Sequence, residues 1–132
     1  MIKNKIVVFD GGNDKMLDTP RIYFPNCFVD ENRIWRKKTI IEYSKCLPVF
    51  NFLVEESEFL NQQLMWKLNN IRDFVHNCYR VEVSDLNEPI IFRSNGFLFD
   101  GWHRVTKAII HDISSLPAVK FIVDPPPDYI IG

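Results

Sequence analysis

The chain has 132 residues, a formal net charge of −1, and a hydrophobic fraction of 46%. That length fits one domain over residues 1–132, able to bury a core without disulfide or metal staples. The near-zero charge argues against coating duplex DNA by bulk charge, and 18 aromatic residues (11 Phe, 4 Tyr, 3 Trp) argue against disorder.

Taken in chain order, Met1 to Lys5 precedes only four apolar residues, Ile6 to Phe9. This is too short for a signal-peptide core or a membrane span, so the expected setting is the cytoplasm, with no membrane partner. Asp10-Gly11-Gly12-Asn13-Asp14 reads as a turn. A phosphate loop or aspartyl nucleophile there would need a downstream motif, and none follows. Pro25-Asn26 is a second turn. Arg33, Arg36, Lys37 and Lys38 crowd around Trp35, either as a solvated stretch or as a contact for nucleic acid or an acidic partner. Thr39 to Tyr43 reads as a strand, and Val49 to Val54 as another extended piece. Cys27, Cys46 and Cys78 lie 19 and 32 residues apart, without zinc spacing, and read as reduced, buried thiols.

Leu60, Leu64, Leu68, Ile71, Val75 and Cys78 recur at helical spacing. They predict one helix from Ser57 to Asn77, or two broken near Asn69-Asn70, with the stripe in the core. Arg80 to Val83 alternates as a strand would. Asp85, Asn87 and Glu88 form a loop, solvated or able to bring a carboxylate to a site. Pro89 to Phe92 is a short apolar strand, Ser94-Asn95-Gly96 a hairpin turn, and Phe97 to Phe99 the next strand. A helix carrying Val105, Ala108 and Ile109 follows. Leu116-Pro117 reads as a break, Ala118 to Val123 as a closing strand, and Pro125-Pro126-Pro127 as the end of the packed chain. Residues 125–132 then form an arm, although Tyr129 to Ile131 could pack back. His76 and His111 read as surface residues, and Trp35 and Trp66 as core or rim. The predicted class is α+β (mixed α/β), a small mixed sheet packed with helices.

The strand–turn–helix at Phe99 to Lys107 carries the chemistry. A helix start presents unpaired N–H groups and the positive end of the dipole. Gly101 permits close backbone approach. His103 and Arg104 add donors, and Arg suits bidentate phosphate binding. Together they predict an anion site. Asp100 could hold a metal ion, orient His103, act as a base, or simply cap the helix.

The segment Phe97-Leu98-Phe99-Asp100-Gly101-Trp102-His103-Arg104, with Ala108 and Leu116-Pro117-Ala118-Val119 after it, resembles the hallmark of the ParB/sulfiredoxin superfamily. Members carry a short apolar strand, a glycine turn ending in a basic pair, a helix, and a strand entered through proline. An upstream strand like Pro89-Ile90-Ile91-Phe92 also belongs to the pattern. The resemblance covers about 89–123, roughly a quarter of the chain. It implies a compact domain of that fold. Sulfiredoxins place a catalytic Cys where Trp102 stands, so sulfinic acid reduction is not expected. In the partition proteins the turn grips a cytidine nucleotide and a helix-turn-helix domain follows; centromere clamping is not expected here. Free serine kinases of the superfamily share the Asp-Gly-x-His-Arg turn that Asp100 to Arg104 match. By that resemblance, Gly101, Trp102, His103 and Arg104 would hold phosphate or nucleotide, and Asp100 and His103 would act catalytically. The implied cofactor is a nucleoside triphosphate or diphosphate with Mg2+, with no protein metal-ligand set assigned.

Three functions follow as expectations. The first is a nucleotide- or phosphate-binding domain, with phosphoryl transfer as its chemistry. The second is a nucleic-acid-binding protein or nuclease using the same turn. The third is a non-catalytic interaction module from a bacterial mobile element or phage.

Overall fold

The computed structural model describes residues 26–54 and 68–132. In chain order these form β1 (Cys27–Asp30), β2 (Arg33–Arg36), α1 (Lys37–Ser44), β3 (Phe50–Leu53) and α2 (Ile71–Val83). Then come β4 (Ile90–Phe92), β5 (Leu98–Asp100), α3 (Trp102–Ile110), β6 (Ser115–Lys120) and β7 (Tyr129–Ile130). The α+β class is as the sequence predicts.

The central sheet has the order β3-β6-β4-β5. Its β4 and β6 are parallel, connected through β5 and α3, while β3/β6 and β4/β5 are antiparallel. Ile90, Ile91 and Phe92 are all buried because this sheet is covered on both faces. On one face Ile90, Phe92, Leu98, Leu116 and Ala118 pack against Val105 and Ala108 of α3. On the other, Ile91, Phe99, Val119 and Phe121 meet Phe28, Trp35 and Ile40. A second, antiparallel sheet, β1-β2-β7, supplies that outer layer together with α1.

Three expectations of local structure are corrected. Residues Thr39 to Tyr43 are helical, not extended, within α1. Their β-branched composition favours a strand locally, but tertiary contacts decide otherwise. Ile40 and Ser44, four apart, turn inward while Ile41 and Tyr43 stay exposed. The helix start is capped from afar, since Asp128 accepts from Arg36 N at 2.7 Å and from Thr39 Oγ1 at 2.9 Å. Arg80 to Val83 likewise ends α2 rather than forming a strand. Asn70 caps that helix by accepting from Asp73 N at 2.8 Å. Lys107 Nζ donates to the carbonyls of Glu82 and Ser84 at its other end, at 2.8 and 3.0 Å. Pro117 lies inside β6 and breaks nothing. β4 joins only at Ala118, so at Pro117 the strand has a single neighbour and no ladder bond is lost on the β4 side.

The break at Asn69-Asn70 agrees with the start of α2, whereas Ser57, Leu60, Leu64 and Trp66 lie outside the described residues, as does Asp10-Gly11-Gly12. The expected core stripe does not hold for the rest. Ile71 is 81% exposed, Val75 58%, and Cys78 is exposed. Of the three free thiols only Cys27 is half-buried, so the expectation of buried cysteines is also corrected. Burial, followed by the charge of Asp128, pushes the Cys27 thiol pKa up. Ile122 and Val123 fall beyond β6 and are exposed.

The C-terminal segment packs back instead of ending the fold at the prolines. Trp35 Nε1 donates to the Pro125 carbonyl at 2.6 Å, Asp128 N to Ile34 O at 2.8 Å, and β7 pairs with β2. Beneath it sits Arg93, buried, which donates to Asp30 at 3.0 Å and Asp124 at 3.2 Å. Its guanidinium lies 5.2 Å from the ring centres of Phe28, Trp35 and Phe99. Among the described residues no helix is long and apolar enough to cross a membrane.

Candidate phosphate site at the start of helix α3

β5 delivers Asp100 to the edge of the core, and the chain turns through Gly101 into α3. Gly101 has φ +120°, and a Cβ there would sit 2.6 Å from the Ile90 side chain. Glycine is thus required by the turn and by its seat on β4. The N-cap position of α3 is Gly101, which has no side chain to offer, and no acidic residue occupies the helix's first turn. That leaves the dipole's positive end unopposed within the helix itself.

Arg104 Nη2 donates to Asp100 Oδ2 at 2.9 Å, one helical turn apart. Lys37 Nζ, from α1, approaches Asp100 Oδ1 at 3.5 Å. Asp100 therefore holds two cations in place. His103 Nε2 lies 3.0 Å from Asn77 Oδ1 of α2. The Trp102 ring turns to the interior, stacks on Phe28 with centroids 6.1 Å apart, and packs against both cores. What Trp102 can offer a ligand is its backbone.

These groups surround a cleft of about 260 Å³, lined also by Arg80, Ser84, Asp85 and Glu88. Burial lowers the His103 pKa to about 4, helped by Arg80, Lys37 and Arg104 and opposed by Asp100. The imidazole is thus kept neutral first by its burial and only then by the cations around it. At neutral pH it is uncharged, and an arriving anion would relieve the repulsion between the cations.

Asp100, Gly101, His103 and Arg104 line this cleft, and so do Asp85 and Glu88 of the loop considered above. Sequence reading missed Lys37, Arg80 and Asn77 as neighbours of the turn. Lys37 was visible within a basic stretch, and Arg80 follows His76 by four residues on α2, but neither spacing points to residue 104. The remaining basic stretch is dispersed: Arg33 pairs with Asp30 at 2.9 Å and Arg36 with Asp128 at 3.6 Å. Among the described residues no group of three or more His, Cys, Asp or Glu is arranged to hold a metal ion. A magnesium ion arriving with a nucleotide would rely mainly on phosphate and water oxygens. Compared with family models, curated proteins and solved structures, the chain matches none.

Proposed function

We propose that the cleft binds the phosphate groups of a nucleotide or smaller phosphate ester. The observation that carries this reading is the convergence of Lys37, Arg80, His103 and Arg104 on one cleft at the start of α3. Backbone amides, a helix dipole and guanidinium groups are the elements that recognise phosphate. The likeness of Asp100 to Arg104 to the ParB/sulfiredoxin turn supports the same assignment.

Calorimetric titration with pyrophosphate, ADP, ATP, CTP and GTP, with and without Mg2+, tests it. Arg80→Gln is the informative variant because Arg80 is exposed, so its replacement removes a cation of the cleft without opening the core. Its loss is expected to weaken pyrophosphate about tenfold, the scale of one charge-assisted hydrogen bond. Absence of binding by every phosphate probe, or binding indifferent to Arg80, would overturn the assignment.

Phosphoryl transfer is the second reading, favoured by the place of Asp100 in the cleft wall between Lys37 and Arg104. It expects Asp100→Asn to bind nucleotide like the native chain and to lose transfer. Parallel loss of binding and transfer would make Asp100 a positioning residue for the two cations. The nucleic-acid alternative instead expects steep salt dependence with single- or double-stranded probes.

A further inference from the structure

Arg104 and Asp100 border two cavities. A second cavity of about 280 Å³ shares Glu88, Asp100 and Arg104 with the polar cleft. The rest of its wall is largely aliphatic, formed by Ile41 of α1, Leu47, Val49, Ile91 of β4 and Val119 of β6. Ile91 and Val119 are 4% and 3% exposed, so this cavity is floored by the core itself.

We infer that the polar cleft and the aliphatic cavity form one bipartite site for a phosphate or diphosphate ester with a compact apolar organic group. The inference rests on the phosphate reading above. The Asp100–Arg104 ion pair is the shared wall, so a phosphate against Arg104 has the aliphatic cavity beside it. The aliphatic side of this cavity gives water few partners, and an apolar group gains by leaving solvent for it. A nucleobase would need an aromatic plate or amides matched to its edge. The described residues lining this cavity include neither. Of the other polar groups in its wall, the buried Ser44 hydroxyl already donates to Ile41 O at 2.7 Å, and Lys45 is exposed.

The test is calorimetric titration of the full chain with pyrophosphate, isopentyl diphosphate and ADP. Isopentyl diphosphate is expected to bind at least about tenfold tighter than pyrophosphate, since each buried methylene is worth roughly fourfold. Ile41→Asn and Val49→Asn, at positions 39% and 59% exposed, should erase that gain. Neither residue lines the polar cleft, so pyrophosphate affinity should stay near the native value. Pyrophosphate binding with no gain for the isopentyl ester overturns the bipartite site and leaves the phosphate reading standing. A gain that survives both variants overturns it as well. ADP binding tighter than the isopentyl ester, and sensitive to Val49→Asn, overturns the apolar class in favour of a base. Failure of pyrophosphate itself to bind overturns both readings.

Discussion

The arginine–aspartate clusters at Arg93 and at Arg104 use charge in opposite ways. Arg93 gives Nη1 to Asp30 and Nε to Asp124, and three aromatic rings enclose its guanidinium. Arg104 gives Nη2 to Asp100 and borders two cavities. The first cation is consumed by folding. The second keeps hydrogen-bonding capacity on a solvent-connected wall, beside Lys37 and Arg80. Burial alone does not separate the two, since both side chains are largely shielded at 7% and 15% exposure. What distinguishes them is whether the neighbouring space is filled by rings or open to a ligand.

The largest expected effect breaks the first cluster. Arg93→Met takes from Asp124 its arginine partner and leaves Asp30 with Arg33 alone, and is expected to cost about 3 kcal/mol, read by urea denaturation. Adding Asp124→Asn should recover part of that loss, because the carboxylate charge that lost Arg93 is then gone. If Arg93→Met cost under about 1 kcal/mol, the cluster would be no more than an ordinary surface pair.

A smaller effect is expected at the turn that presents the second cluster. Gly101→Ala places a Cβ 2.6 Å from Ile90 at φ +120°. Strain and overpacking together should cost about 2–3 kcal/mol. Pairing it with Ile90→Val, which trims the side chain that the Cβ would meet, should restore some stability but not the strain. Full restoration would mean that contact alone requires the glycine.

How much of this was legible in the sequence differs between the two clusters. The site turn was legible because its elements are consecutive: strand, glycine, helix start, basic pair. Its neighbours were not, because Lys37 and Arg80 come from α1 and α2, and one sequence carries no record of such contacts. Arg93 was passed over for the same reason, with partners 63 and 31 residues away. The central sheet was readable from its unbroken apolar runs at Ile90 to Phe92 and Leu98-Phe99. α1 was misread because Thr39-Ile40-Ile41 is locally strand-like, and the cap that favours the helix, Asp128, lies 89 residues from Thr39. The α2 stripe was misplaced because helical periodicity identifies an apolar face without saying what covers it.

The smallest effect is the most pointed, because it reads the field in the cleft directly. His103 titrates near 4 instead of 6.5. Between those values the unfolded chain carries a proton that the native chain does not, so stability rises with pH across this window and falls on acidification. His103→Gln should flatten that slope in urea denaturation at pH 7 and pH 5, with little change at neutral pH. Arg80→Gln should raise the His103 pKa, since Arg80 is the foremost of the charges lowering it. Pyrophosphate should raise it further by placing negative charge beside the imidazole. Following the His103 ring resonances by NMR, assigned through His103→Gln, measures both shifts. Upward movement in both cases ties the imidazole, Arg80 and the phosphate to one cleft. A resonance that shifts with Arg80→Gln but ignores pyrophosphate would separate the positive field from the ligand and put the phosphate elsewhere on the molecule.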